Sequence, residues 1–146
     1  MKQLREELTL FALALQLLTR VPIGQWADYS DDRAAASSRY YPLIGALIGV
    51  VGAVIFWVAD AAFPQAVAVL IALIATALIT GALHEDGFAD CCDGLGGGAT
   101  RERALEIMRD SRLGTYGVLG LMLMIALKLT VLTSVASAIL PWCLVA

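Results

Sequence analysis

Charged residues are scarce in this sequence. Only 16% of its 146 residues are Asp, Glu, Lys or Arg, whereas 60% are hydrophobic, and the mean hydropathy is +0.79. A soluble domain of this length rarely tolerates so apolar a composition. We therefore predict an integral membrane protein of the all-α class, a polytopic helical bundle that forms a single membrane domain over residues 1–146.

Basic tracts and paired cysteines are also missing, and these absences exclude further classes of protein. No run of Lys and Arg occurs, so we expect no nucleic-acid partner. Cys91 and Cys92 are adjacent and lack the C-x-x-C spacing of zinc sites, while Cys143 is predicted to lie across the membrane from them. The sequence therefore predicts neither a structural disulfide nor a site for a soft metal.

Three apolar runs approach or exceed the ~17 to 25 residues that a membrane-spanning helix needs. They cover residues 42–59, 65–83 and 116–140. A fourth run, residues 8–18, is too short to cross and precedes Thr-Arg-Val-Pro, so we predict an interfacial or re-entrant helix there. A signal peptide is the alternative, but Glu6 and Glu7 interrupt its basic segment and no cleavage site follows.

The distribution of basic residues orients these spans. Five Lys or Arg residues lie before residue 42 and four lie in the segment 84–112, whereas the turn 60–64 has none. The positive-inside rule then predicts that the N-terminus and the segment 84–115 are cytosolic. We expect the protein to lie in the cell (inner) membrane, in contact with lipid.

Two features inside the predicted spans concern helix packing. Gly45, Gly49 and Gly52 place a Gly-x-x-x-Gly pattern on the first span, which lets another helix approach closely. Lys128 lies in the third span, where a charge costs at least ~2.5 kcal/mol unless it faces a partner or water. We therefore expect Lys128 to face protein rather than lipid.

Three aspartates, Asp86, Asp90 and Asp93, follow the second span. In a helix, their spacing of four and three residues would place the carboxylates on one face, spread over roughly 10 Å. Such carboxylates repel each other unless a cation binds, and an all-oxygen ligand set favours Mg²⁺, which also binds substrate phosphates. We predict a magnesium site at these aspartates, and a general base that is either His84 or an aspartate not fully committed to the metal. The alternative is a solvated helix end followed by a flexible glycine turn.

A short charged helix is predicted to begin at the N-cap Thr100 and to return the chain to the membrane. It would bring Arg109 beside the aspartates, where a guanidinium can neutralise charge on a departing phosphate. We assign Arg109 to catalysis. The residues assigned to substrate binding are Gly94, Asp110, Ser111 and Arg112. A surface helix with a Glu106 to Arg109 salt bridge is the alternative interpretation.

The pattern H-x-D-G-x-x-D-x-x-D-G at 84–94, followed by I-M-R-D-S-R-L-G-T-Y-G at 107–117, resembles the cobalamin synthases, the adenosylcobinamide-GDP ribazoletransferase family. The segments 18–22 and 41–45 resemble the N-terminal signatures of that family. The resemblance implies an Mg²⁺-dependent membrane enzyme. Its substrates would be adenosylcobinamide-GDP and α-ribazole or α-ribazole 5′-phosphate, and it would release GMP.

Members of that family generally continue into a second membrane half. We therefore expect that a second copy of the chain, or a separate C-terminal half, completes the enzyme, and that these 146 residues alone bind Mg²⁺ weakly and turn over poorly. An enzyme like the CDP-alcohol phosphotransferases is one alternative, but the Ala-Arg pair of their signature is missing after Asp86-Gly87. A divalent-cation transporter or assembly subunit is the non-enzymatic alternative, although its acidic residues would be expected inside the spans.

The predicted topology can be tested with single-cysteine reporters in a background without the native cysteines. We expect a cysteine at Gly97 to react with an impermeant thiol reagent only from the cytosolic face, and one at Gln65 only from the opposite face, because the two positions flank one predicted span. Equal accessibility of both positions from one side would contradict the three-span topology.

Overall fold

The computed structural model describes residues 2–23, 29–135 and 139–145. Every regular element in these ranges is helical, which confirms the predicted all-α class. The α-helices are α1 (Lys2–Leu18), α2 (Asp31–Ser37), α3 (Tyr41–Asp60), α4 (Gln65–Thr80), α5 (Leu83–Gly97), α6 (Arg101–Met108), α7 (Thr115–Thr133) and α8 (Leu140–Val145). A 3₁₀ turn, Ser38–Tyr40, joins α2 to α3.

Two helical stretches are long and apolar enough to cross a membrane. They are Asp31–Asp60, which includes α3, and Thr115–Thr133, which is α7. The helices α4 and α5 are separated by a short break, and they provide a third span only if the two together are counted as one broken span. The described residues therefore offer two or three spans, in agreement with the number predicted.

The ends of two predicted spans differ from the observed helices. The second span was predicted to reach residue 83, but α4 ends at Thr80 because Gly81 and Ala82 both adopt left-handed backbone, with φ of 68° and 59°. The amide of Gly81 caps α4 by donating to the carbonyls of Ala77 and Leu78. The third span was predicted to reach residue 140, but α7 ends at Thr133.

The N-terminal helix is longer than predicted, since it begins at Lys2 rather than at residue 8. Its charged first half has partners on the following elements. Glu6 pairs with Arg33 of α2 at 3.0 Å, and Glu7 accepts hydrogen bonds from Arg39 and Tyr40 of the 3₁₀ turn. These contacts extend the helix beyond its apolar run, to which the prediction was confined.

The chain divides into two compact units. Unit 1 contains Met1–Gly81 and Ala136–Ala146, and unit 2 contains Ala82–Val135. In unit 1, α3 packs against both α4 and α8, around side chains that are at most 1% exposed, namely Ile44, Phe56, Val69 and Leu140. Every predicted site residue lies in unit 2. A single membrane domain over the whole chain stays a prediction.

The glycines of α3 permit the close packing that their spacing predicts. A Cβ atom at Gly49 would lie 2.5 Å from the carbonyl oxygen of Leu144 in α8, and one at Gly52 would lie 2.9 Å from Cγ2 of Thr76 in α4. By contrast, a Cβ atom at Gly45 would meet nothing within 4 Å. Two of the three glycines are therefore packing positions.

Lys128 does not meet the expectation that it faces protein within this chain. Its side chain is exposed, and only 6% of the apolar window of α7 is buried. Most of the surface of α7 is thus available to lipid or to another polypeptide.

Substitution of Gly49 by alanine should destabilise unit 1. The added methyl group would overlap the backbone of α8, and overpacking of this kind costs roughly 1–3 kcal/mol. Thermal unfolding in lipid nanodiscs should therefore show a lower midpoint for Gly49→Ala. Gly45→Ala is the matched control, because its methyl group has free space and alanine favours helix over glycine by about 0.5–1 kcal/mol. Equal shifts for the two variants would contradict the close α3–α8 contact.

Candidate active site

The three aspartates of the predicted metal site lie on one helix, as their spacing indicates. α5 runs without interruption from Leu83 to Gly97, and at about 100° per residue the positions 86, 90 and 93 fall within roughly 60° of one another. Their environments differ, because Asp86 is exposed, Asp90 is half-buried and Asp93 is 7% exposed. Among the described residues, no group of three His, Cys, Asp or Glu side chains is arranged to hold a metal ion.

Asp93 is held by the first turn of α7. The backbone N–H of Gly114 donates to its Oδ2 at 2.7 Å, and the N–H of Gly117 donates to its Oδ1 at 2.8 Å. Gly114 is the N-cap of α7 and has no side chain to accept the N–H of Gly117, as an N-cap Ser, Thr, Asp or Asn would do. The carboxylate of Asp93 therefore caps α7 from α5. Its negative charge also interacts favourably with the positive, N-terminal end of the helix dipole of α7.

The glycines at the end of α5 form a packing surface rather than the flexible turn of the alternative interpretation. Gly94 is buried, and a Cβ atom there would lie 2.5 Å from Cγ of Met108 in α6. A Cβ atom at Gly96 would lie 2.5 Å from the ring of Tyr116 in α7, and one at Gly98 would lie 2.6 Å from the backbone of Ala104. The geometry gives Gly94 a role in helix packing, while substrate binding at this residue stays a prediction.

The N-cap predicted at Thr100 is observed, because its Oγ1 accepts a hydrogen bond from the backbone of Arg103 at 3.2 Å. The salt bridge on α6 differs from the one considered in the sequence. Glu106 pairs with Arg103 at 2.6 Å, whereas Arg109 is the C-cap residue of the helix. The guanidinium of Arg109 is therefore left to other partners.

The turn between α6 and α7 carries a local ion pair. The backbone N–H of Arg112 donates to Oδ1 of Asp110 at 3.1 Å, and its Nη2 donates to Oδ2 at 2.6 Å. The hydrogen bonds from Arg112 hold the pKa of the Asp110 carboxyl below its usual value. Both side chains are solvated, since that of Asp110 is 37% exposed and that of Arg112 is 87% exposed, so the pair contributes little to stability. Ser111, between them, is exposed.

Four of the ionisable residues in the predicted site have no side-chain hydrogen bond or ion pair within the described part of the chain. They are His84, Asp86, Asp90 and Arg109. Two acidic side chains one helical turn apart are suited to a hard cation, and an unpaired guanidinium is suited to phosphate oxygens. Asp86, Asp90 and Arg109 are therefore the side chains available to a metal and a phosphorylated ligand.

Glu85 is a candidate that the sequence did not single out. Its Oε2 is buried and has no hydrogen-bond partner among the described residues. A buried carboxylate oxygen is costly without a partner, so this atom is suited to face a cation or a hydrogen-bond donor of a ligand. The signal in the sequence is its position directly before Asp86, but Glu85 does not share the spacing of four and three residues that relates the three aspartates.

Nearly the whole chain matches the model of a single protein family. Residues 10–146 match the model of the family described as cobalamin-5-phosphate synthase. The matched range includes α5, α6 and α7 and therefore all the candidate site residues. No solved structure matches the chain significantly.

Curated relatives agree with this match. The adenosylcobinamide-GDP ribazoletransferase of Leptothrix cholodnii is 52% identical over 128 residues, which are 88% of this chain and 48% of that protein. The protein of the same name from Shewanella amazonensis is 48% identical over 136 residues, 93% of this chain and 52% of the relative. The chain thus spans about half the length of the curated relatives it matches.

Proposed function

Because this chain belongs to the cobalamin-5-phosphate synthase family, we propose that it takes part in the reaction for which its relatives are named. That reaction transfers adenosylcobinamide phosphate from adenosylcobinamide-GDP to α-ribazole or α-ribazole 5′-phosphate, and the second product is GMP. The product of the transfer is adenosylcobalamin or its 5′-phosphate. The apolar helices α3 and α7 support a membrane location, and we propose the inner membrane with the segment 84–115 on the cytosolic side.

The observation that carries this proposal is the arrangement of unpaired charges on unit 2. Asp86 and Asp90 lie one turn apart on α5, and neither carboxylate has a partner in the described residues. These oxygen ligands fit Mg²⁺, which usually binds one or two carboxylates and completes its shell with water and substrate phosphates. Bound there, Mg²⁺ would neutralise charge on the diphosphate of the substrate.

The chain's own residues would position the reacting groups. In the transfer, a ribose hydroxyl oxygen of α-ribazole bonds to the phosphorus that carries the cobinamide. The bond from that phosphorus to the oxygen of the departing GMP breaks, and GMP leaves with the electron pair. Arg109 would bind the phosphate oxygens on which charge develops. The hydroxyl proton passes to a base, for which the exposed His84 is the candidate.

Further partners follow from the length of the relatives. A corrinoid nucleotide is large, and two or three membrane helices offer few ways to enclose it. We propose that sequence equivalent to the other half of the relatives, or a second copy of this chain, completes the substrate site. A divalent-cation transporter is not favoured, because the relatives are named as transferases.

Substitution of Asp90 by asparagine should abolish most of the turnover. The amide removes one negative charge from the proposed metal site but keeps the shape of the side chain, so folding should be preserved. We expect the loss to be accompanied by a higher Mg²⁺ requirement. Product formation from adenosylcobinamide-GDP and α-ribazole would be followed by chromatography, in membranes containing the chain with and without the second half of a relative.

Glu102→Gln is the matched control for this experiment. Glu102 lies on α6, is exposed, and loses the same charge without belonging to the proposed site. We expect its turnover and its Mg²⁺ requirement to equal those of the unmodified chain. Near-normal turnover of Asp90→Asn at saturating Mg²⁺ would show that Asp90 is only a solvated residue at the membrane boundary.

A further inference from the structure

The two oxygens of Asp93 already accept hydrogen bonds from the start of α7, at 2.7 Å from Gly114 and 2.8 Å from Gly117. The side chain is also largely removed from solvent, at 7% exposure. A carboxylate in this state differs from Asp86 and Asp90, which lie on the same stripe of α5 without partners. Its hydrogen-bonding capacity is directed at the backbone of α7.

Both ends of the turn 109–113 are attached to one point on α5. At its beginning, Met108 packs over Gly94, where a Cβ atom would lie 2.5 Å from Cγ of the methionine. At its end, Gly114 donates its N–H to Asp93. Asp93 and Gly94 are neighbours in the sequence. The two ends of the turn that carries Arg109 and Arg112 therefore contact adjacent residues of α5. These lie about one helical turn beyond Asp90.

Three glycines, Gly94, Gly114 and Gly117, make room for this attachment. A Cβ atom at Gly114 or at Gly117 would overlap the carboxylate of Asp93. Gly114 has a φ of −95°, which any residue can adopt, so its own backbone does not require glycine. The absence of a side chain at this position is explained by the approach of Asp93 alone.

We propose that Asp93 is a positioning residue rather than a metal ligand, and that it fixes the turn 109–113, and with it Arg109, relative to Asp86 and Asp90 on α5. This inference rests on the proposed function, which assigns a metal and a diphosphate to those side chains. It revises the sequence-based prediction of a three-aspartate metal site. The three aspartates share a helix face, but they divide between ligand binding and positioning.

The first test separates the two roles without any assay of turnover. Selective ¹⁵N labelling of the thirteen glycines allows hydrogen exchange at the amides of Gly114 and Gly117 to be followed by NMR in nanodiscs. Asp93→Asn can accept only one of the two bonds, so we expect at least one of these amides to exchange about 10- to 100-fold faster, as for one lost hydrogen bond to a charged acceptor. In Asp90→Asn, exchange at both amides should be unchanged.

Mn²⁺ binding, measured by electron paramagnetic resonance on the same samples, gives the complementary result. Mn²⁺ prefers the same oxygen ligands as Mg²⁺. We expect its dissociation constant to change less than about twofold in Asp93→Asn and at least about tenfold in Asp90→Asn. Equal weakening in both variants, or unchanged exchange at Gly114 and Gly117 in Asp93→Asn, would overturn the positioning role. If the unmodified chain bound no Mn²⁺, the proposed metal site would fail, whereas the exchange data would still decide whether Asp93 holds α7.

Coupling to Arg109 tests whether the attachment serves substrate binding or only stability. With the second half of a relative supplied, we expect Asp93→Asn to raise the KM for adenosylcobinamide-GDP about 10-fold or more. It should cause little further increase when Arg109 is already alanine, because both substitutions remove the same contact. If Asp93 only stabilised the fold, Asp93→Asn would leave the KM for adenosylcobinamide-GDP unchanged, and its effects on turnover would simply multiply those of the Arg109 substitution. That result would overturn the proposal.

Gly114→Ala provides an independent variant that leaves every charge in place. Its methyl group should displace the Asp93 carboxylate and lower the midpoint of thermal unfolding, whereas in an Asp93→Ala background the space is vacant and the same substitution should have little effect. Gly45→Ala, with nothing within 4 Å, is the control in both backgrounds. An equal destabilisation by Gly114→Ala in both backgrounds would contradict the contact.

Discussion

A helix whose N-cap is glycine has no side chain of its own to accept hydrogen bonds from its first N–H groups. In unit 2 this requirement is met by Asp93, which reaches the first turn of α7 from α5. The contact fixes where α7 begins, demands small residues at Gly114 and Gly117, and brings the intervening turn back onto α5. The arrangement of the candidate site depends on this one carboxylate, since the arginines lie on the turn that it holds.

The charged residues of unit 2 divide by whether the fold already supplies a partner. Asp93 is satisfied by backbone, Asp110 by Arg112, and Glu106 by Arg103. Asp86 and Asp90 are left unpaired, together with Arg109, on the elements that those contacts bring together. Unpaired like charges one helical turn apart destabilise a helix slightly and bind cations readily. The metal and phosphate chemistry that we propose is therefore assigned to residues that contribute least to the fold.

In both units, glycine lies where one helix approaches the backbone or side chains of another most closely. Gly49 and Gly52 admit α8 and α4 to the surface of α3, and Gly94 and Gly98 admit α6 to the surface of α5. Inside a membrane, apolar side chains gain little by leaving lipid, so short interhelical distances and good van der Waals contact carry more of the stability. Much of the remaining helix surface is apolar and exposed, as on α7, which is suited to lipid or to further protein helices.

The sequence by itself determined the helical class, the approximate spans, the N-cap at Thr100 and the common face of the three aspartates. Each of these follows from local spacing or from summed hydropathy, which are properties of neighbouring residues. It did not determine the break at Gly81 and Ala82, the helical packing role of the glycine run, or the buried oxygen of Glu85. The tertiary structure alone decided that Asp93 differs from Asp86 and Asp90, because its partners are backbone N–H groups more than twenty residues away. Every residue except proline carries such a donor, so the glycines at 114 and 117 do not by themselves indicate which side chain they approach.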